Sequence, residues 1–265
     1  MHANFPCGSL TKPYSTAHSS WLFGGRVKQN ARRTTVPHVH NNGQIFVVES
    51  GVMAVKTQDA YWLIGPEQLL WLPPRLAHEA RSHGAITGWS LYIAEDRCAF
   101  LVSKPFVADS TRLLSAQVER LSQNTQDTTW DARTACLAES FWDEFLSIPH
   151  QSVSLPFPGD VRLKRVADAL CANPADSRGQ QDWADMAGMS LRSFVRYFTA
   201  DTGIPFSAWR LRLRILNAQE KLARGENVTH VAAAVGYESL GAFAAAFKKN
   251  TGYSPSTYAQ RCMTR

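Results

Sequence analysis

The segment VGYESLGAFAAAFKKNTGYSP, residues 235–255, has a middle that is almost entirely alanine, although lysine and arginine are frequent around it. Its reading comes from a second copy upstream, WADMAGMSLRSFVRYFTADTGIPFSAW, which begins at Trp183. A shift of 48 residues puts Ala184 on Ala232 and Gly188 on Gly236. With one extra residue in the later turn the shift becomes 49, and Ser190 falls on Ser239, Phe194 on Phe243, Phe198 on Phe247, and Thr202 and Gly203 on Thr251 and Gly252. In each copy a small residue lets two helices cross closely, a glycine supplies a left-handed turn, and a serine caps a second helix. This predicts two helix-turn-helix motifs, at about residues 181–200 and 229–249. The phenylalanines at i and i+4 anchor each second helix from behind, so its opposite face is offered outward. Between the copies, residues 206–224 form an uninterrupted helical pattern closed by Gly225. At 1.5 Å per residue this strut is roughly 27 Å long, suited to holding two recognition helices about one DNA turn apart, near 34 Å.

At this point residues 161–265 resemble the DNA-binding domain of the AraC/XylS family of transcription regulators, the late signature VGYESLGAFAAAFKKNTGYSPSTY above all. The resemblance implies a first recognition face of Arg192, Val195 and Arg196, opened by Ser190. Arginine is the strongest reader of guanine O6 and N7 in the major groove, and Arg196 is the foremost candidate. In the second motif, positions that carry polar base readers in many relatives are Leu240, Gly241, Ala242, Ala244 and Ala245. Small side chains let that helix lie close to the groove, where alanine can touch a thymine methyl and Ser239 with the helix start can bind phosphate. The first motif is expected to specify and the second to position. An alternative stays open, in which the alanines pack on another protein surface such as polymerase or the companion domain. Lys248 and Lys249 are expected at backbone phosphates or as a solvated helix end.

Charge agrees with this division. Residues 161–265 hold 15 Lys and Arg against 8 Asp and Glu, whereas residues 1–160 hold 13 against 14. A basic carboxyl-terminal part suggests a polyanionic partner. The 265 residues, 45% hydrophobic and 19% charged, suit two globular domains. No apolar run approaches the roughly 20 residues of a membrane span, and the first 20 residues lack a secretory pattern, so a cytoplasmic protein without a membrane partner is expected. Five scattered cysteines, Cys7, Cys98, Cys136, Cys171 and Cys262, have no paired spacing and read as free thiols, mostly buried.

The amino-terminal half is written differently. Residues 1–24 read as a polar arm. Short β-rich runs such as IFVVES, VMAVKT, YWLI, LLWLP and WSLYI, separated by NNG, SG, GP, PP and HG, predict an antiparallel sandwich or barrel. Residues 110–146 turn helical, either to cover a sheet or to pair two subunits. The proline-rich residues 149–160 read as a linker. Within PHVHNNGQIFVVESG, His38 and His40 would share one side of a strand, with Gln44 a turn later. This His-x-His pattern, its Gln and Gly51 resemble the first cupin motif, where Glu is usual at the Gln44 position, and residues 65–78 resemble the second, with Arg75 where glycine is common. The cupin ligands would carry over to His38, His40, Gln44 and His78, a set for a divalent metal, although an amide in place of a carboxylate weakens cation binding. The same residues with Trp71 are candidates for contact with an organic effector, and purely structural histidines remain open. Trp62 and Trp71 read either as cavity lining or as core.

The expected fold is α+β: an amino-terminal cupin-like β-barrel with covering helices over residues 25–148, and an all-α domain with two helix-turn-helix motifs over residues 161–265. The expected function is a non-enzymatic, sequence-specific transcription regulator, modulated by a small molecule or metal in the barrel. Its partners would be double-stranded operator DNA, an effector, RNA polymerase and a second copy of the chain; no cofactor is required, a divalent metal being the one candidate. Two other classes remain: a cupin metalloenzyme, an oxygenase or isomerase with an accessory DNA module, and a nonspecific nucleic-acid binder.

Overall fold

In the run Gln68–Leu72, QLLWL, alternate side chains belong to two different cores, and this alternation builds the amino-terminal half. The computed structural model describes residues 18–101, 103–122, 129–150 and 154–263. The strands are β1 (His18–Ser19), β2 (Leu22–Gln29), β3 (Gly43–Ser50), β4 (Met53–Lys56), β5 (Ala60–Ile64), β6 (Gln68–Leu72), β7 (Glu79–Ser82), β8 (Ile86–Ile93) and β9 (Phe106–Asp109), with a short 3-10 helix, Glu95–Phe100, before the last. Then come α1 (Arg112–Ser122), β10 (Thr129–Trp130), α2 (Ala132–Ser147) and β11 (Ser154–Pro156). All strand pairings are antiparallel, in a sheet ordered β2-β8-β3-β6-β9, a second ordered β11-β5-β4-β7, and the small pair β1-β10.

Side chains of alternating parity fill the space between the two large sheets: Phe46, Val48, Leu70 and Leu72 meet Met53, Val55, Trp62 and Ile64. The other face of the five-stranded sheet, with Ile45, Val47, Leu69 and Trp71, is covered by Leu114, Val118 and Leu121 of α1 and Phe141, Trp142 and Phe145 of α2. Both faces of β3 are therefore buried, which is why IFVV reads as a continuous apolar run. The helical segment at residues 110–146 thus covers a sheet. Part of the amino-terminal arm lies outside the described residues; of the rest, His18–Ser19 pairs with β10 and β2 starts at Leu22, so the arm is tied into sheets by its end.

The remaining helices are α3 (Val161–Ala172), α4 (Gln180–Met186), α5 (Leu191–Thr202), α6 (Phe206–Ala223), α7 (Val228–Ala234), α8 (Leu240–Thr251) and α9 (Pro255–Met263). Asp160 caps α3 by accepting from the Arg162 amide. The Thr-Gly pair of each repeat is a helix stop: Thr202 and Thr251 donate their hydroxyls to the Phe198 and Phe247 carbonyls, and Gly203 and Gly252 are left-handed at φ 75° and 80°.

The proline-rich stretch expected as a linker does more than connect. Its β11 adds an edge strand to β5, and α6 grips it: Trp209 Nε1 donates to the Pro156 carbonyl at 2.6 Å and Arg212 to the Ser154 carbonyl at 2.5 Å. Val52, Ala54, Leu63 and Leu155, on the outer face of the four-stranded sheet, join the same apolar core as Leu213, Leu216 and Phe247. The layers therefore run α1/α2, five-stranded sheet, four-stranded sheet, helical domain. Of the cysteines, Cys98 and Cys262 are buried, Cys171 is half-buried and Cys136 exposed, all as free thiols; the Cys7 expectation lies outside the described residues.

Candidate functional site

The first helix-turn-helix is α4, a turn through Gly188 at φ 65°, and α5. Ser190 accepts from the Ser193 amide at 3.3 Å and donates to the Ser193 hydroxyl at 3.0 Å, so its oxygen caps α5. Phe194 and Phe198 are fully buried against Phe206 and Trp209, and this burial turns Arg192 and Arg196 outward. Val195 is half-buried and packs on the core beneath the helix, so of the three expected readers it has the least free surface. The Arg196 guanidinium lies 4.7 Å from the Tyr197 ring, an exposed neighbour that holds it by cation–π attraction.

The second motif repeats the construction. Ser239 accepts from the Ala242 amide at 3.4 Å, Phe243 and Phe247 are fully buried, and Leu240, Gly241, Ala242, Ala245, Lys248 and Lys249 are exposed. Ala244 is half-buried. The alanine-rich face therefore points away from the described protein surface and is not spent on the companion domain.

Three imidazoles come together in the amino-terminal domain. His38, His40 and His78 each offer a ring nitrogen within 4.8 Å of the others, and the His38 and His78 rings are 4.5 Å apart. Every Nδ1 faces a backbone carbonyl: His38 to Val36 at 2.9 Å, His40 to Asn42 at 2.7 Å and His78 to Leu76 at 2.8 Å. Those contacts put hydrogen on Nδ1, and in a neutral imidazole Nε2 then carries the lone pair, the tautomer that a hydrogen bond from the other ring nitrogen imposes on a metal ligand. His78 Nε2 is buried and has no partner among the described residues. Burial also holds the His78 imidazole below its usual pKa, in the neutral ligand form. Gln44 joins them: its Oε1 lies 3.0 Å from His40 Nε2, and its amide nitrogen donates to Ser90 Oγ at 3.0 Å. For the neutral ring these are two acceptors facing each other, an arrangement met by turning the amide round or by a cation shared between them. The residues present therefore fit a divalent cation.

His38 and Gln44 also line a cavity of about 220 Å³ between the sheets, with Phe46, Met53, Ser90 and Tyr92. Trp71 does not. It projects from the other side of β6, fully buried, with its ring 5.8 Å from Phe145 of α2, so its expected effector contact is corrected to core packing. Trp62 packs in the inter-sheet core. Glu49, a conceivable acid or base, is bound instead to Trp89 Nε1 at 3.0 Å and Arg26 at 3.2 Å.

One cluster has no signature in the sequence. Glu220 of α6, buried, reaches into the amino-terminal domain, where the Tyr61 hydroxyl donates to it and Arg81 Nη2 lies at 3.4 Å. His83 Nδ1 is at 3.3 Å and Arg224 at 3.5 Å. Burial raises the Glu220 carboxyl above its usual range, offset in part by the Tyr61 hydroxyl and the guanidiniums. His83 is neutral, its pKa lowered to about 3 by burial and by Arg81, Arg224 and Arg32. Guanidinium donors face both ring nitrogens of His83, Arg81 Nε at 3.4 Å from Nε2 and Arg224 Nη2 at 3.3 Å from Nδ1. With the imidazole neutral, its 3.3 Å approach to Glu220 is not an ion pair.

Comparison with known proteins agrees with both halves. Residues 23–129 match the family described as AraC-like ligand binding domain, and residues 183–261 match a helix-turn-helix domain. The HTH-type transcriptional regulator NimR of Escherichia coli (strain K12) is 25% identical over 231 residues, 87% of this chain and 84% of NimR. The HTH-type transcriptional regulator RipA of Corynebacterium glutamicum is 35% identical over 103 residues, 39% of this chain and 31% of RipA. A solved structure of ToxT from Vibrio cholerae O395, 12% identical, aligns with a TM-score of 0.41 over 92% of this chain and 99% of that one.

Proposed function

The chain belongs to the AraC family of helix-turn-helix transcription regulators and carries a ligand-binding domain, and from that premise we propose how its residues divide the work. Arg192 and Arg196 of α5 read bases, while α8 lies close in the next major groove and is held by Ser239, Lys248 and contacts to phosphate. Leu240, Gly241 and Ala244 supply shape and apolar contact. The observation that carries this reading is the repeated motif itself: two serine-capped helices, each anchored by buried phenylalanines, with arginine outward on one and alanine outward on the other. Selection of bound DNA from a random pool, followed by footprinting, tests it. Two protected major-groove segments about one turn apart are expected, and protection confined to one groove overturns it.

The effector site we assign to the inter-sheet cavity and its histidines. His38, His40 and His78, with the Gln44 amide oxygen, would hold a divalent cation, which when bound supplies a fixed positive centre for an anionic or carbonyl group of an effector. The chain's own residues orient that centre through the three Nδ1 bonds to backbone carbonyls. Calorimetric titration with zinc chloride tests the site: one ion per chain for the wild type and none for His78→Ala supports it, and equal uptake by both defeats it.

A homodimer is the assembly we favour, through α1 and α2, whose Leu113 and Leu146 remain exposed after the sheet is covered. RNA polymerase is a further partner, met by whichever exposed surface the operator geometry presents. No helix among the described residues is long and apolar enough to cross a membrane.

A further inference from the structure

The histidine cluster and the Glu220 cluster stand at opposite ends of one short ladder. The segment at residues 33–38 runs antiparallel to residues 78–82, with three rungs. His38 and His78 exchange amide-to-carbonyl bonds at 3.0 Å each, the Thr35 amide donates to the Ala80 carbonyl at 2.9 Å, and the Ser82 amide donates to the Arg33 carbonyl at 2.9 Å. Side chains brace it: Thr35 Oγ1 accepts from the Ala80 amide at 2.9 Å, and Ser82 Oγ accepts from the Arg33 amide at 3.0 Å. The first rung carries two of the three clustered histidines. At the far end Arg81 and His83 project to Glu220 of α6. That helix is the strut between the two recognition helices, so the ladder connects the cation candidates to the element that sets the spacing of the DNA readers.

We propose that the ladder at residues 33–38 and 78–83, ending on Tyr61, Arg81, His83 and Glu220, transmits occupancy of the histidine site to the strut helix α6. The inference rests on the histidines binding a divalent cation, as assigned above. An ion held by all three imidazoles would fix the distance between the two strands at the His38–His78 rung. Because the rungs are few and continuous, a change of spacing or tilt there moves Arg81 and His83, which flank the last rung at Ser82. The receiving group is suited to register it. Glu220 is a single buried carboxylate shared by a phenol, two guanidiniums and a neutral imidazole, so loss of one partner forces the others to rearrange. Glu220 is here a positioning residue, acting on DNA through α6.

The test uses full-length wild type, Glu220→Gln and Tyr61→Phe, zinc chloride, and a DNA site selected by the wild type from a random pool. Zinc uptake by calorimetry is expected to be the same in all three. Zinc should change the wild-type affinity for that site by about 5-fold or more, the usual range of allosteric coupling, and both variants should respond by less than about 2-fold. Hydrogen exchange provides a readout independent of DNA: zinc should change protection at residues 78–83 and 215–224 together in the wild type, and only at residues 78–83 in Glu220→Gln. If the variants respond as the wild type does, or if zinc binds without altering wild-type DNA affinity, the coupling is overturned while the cation site stands. If the wild type takes up no zinc, the cation site itself fails and the coupling falls with it.

Discussion

Single residues divide the DNA contact into reading and holding. Arg196 is exposed at the middle of α5, while Lys248 lies in the last turn of α8. Arg196→Ala should cost about 1–3 kcal/mol at one or two base pairs and little on random DNA. Lys248→Ala should weaken all sequences alike, with a shallower salt dependence. Titrations on selected and random DNA at two salt concentrations distinguish them, and equal losses for both variants would contradict the division. His83 supports a prediction of a different kind. Its folded pKa is pushed down to about 3, whereas an unfolded imidazole titrates near 6.5. Between those values the unfolded chain binds the extra proton, so the contribution of His83 is full above about pH 6.5 and is lost as pH falls toward 3. The slope is at most about 1.4 kcal/mol per pH unit. Urea midpoints at pH 7 and pH 5 should separate by less in His83→Gln than in the wild type.

At the level of elements, the two turns of the repeat look alike in sequence and differ in surroundings. Gly188 and Gly236 are both left-handed, at φ 65° and 82°. An added Cβ at Gly188 would meet nothing within 4 Å, but at Gly236 it would lie 2.8 Å from Arg214 Nη2 and 3.0 Å from the Ala175 Cα. Gly188→Ala should therefore lose about 1–2 kcal/mol from the backbone conformation alone, and Gly236→Ala distinctly more, read as two thermal midpoints against the wild type. The repeat made both glycines legible, but not the crowding, because Ala175 belongs to a loop that no local period relates to Gly236. The same limit explains Trp71. Its strand was readable from alternation, yet alternation says only that Leu70 and Trp71 face opposite ways. Both sides of β6 are covered, by β4 and β5 on one and α2 on the other, so composition could not say which side faced the cavity.

Across the whole molecule, the outer face of the four-stranded sheet shares its core with the helical domain. A substitution on that face should be felt in both halves. Leu63→Ala is expected to cost about 2–5 kcal/mol and to lower the midpoint of a single calorimetric transition; two transitions, with only the earlier one shifted, would show that the halves unfold independently. What the sequence determined by itself was everything with a short period or a repeat: strands from alternation, capped helices from serine, glycine and paired phenylalanines, and the outward faces of α5 and α8 by elimination. The pairing of His38 with His40 was local as well, two residues apart on one side. His78 was named by its resemblance to the second cupin motif, but only the tertiary structure set it beside them with its Nε2 unpartnered among the described residues, made a strand of the proline-rich connection, and carried Glu220 to Tyr61, Arg81 and His83. Those contacts join residues about 40 to 160 positions apart. They depend on how layers stack, and a stacking arrangement leaves no periodic mark on the chains that meet in it.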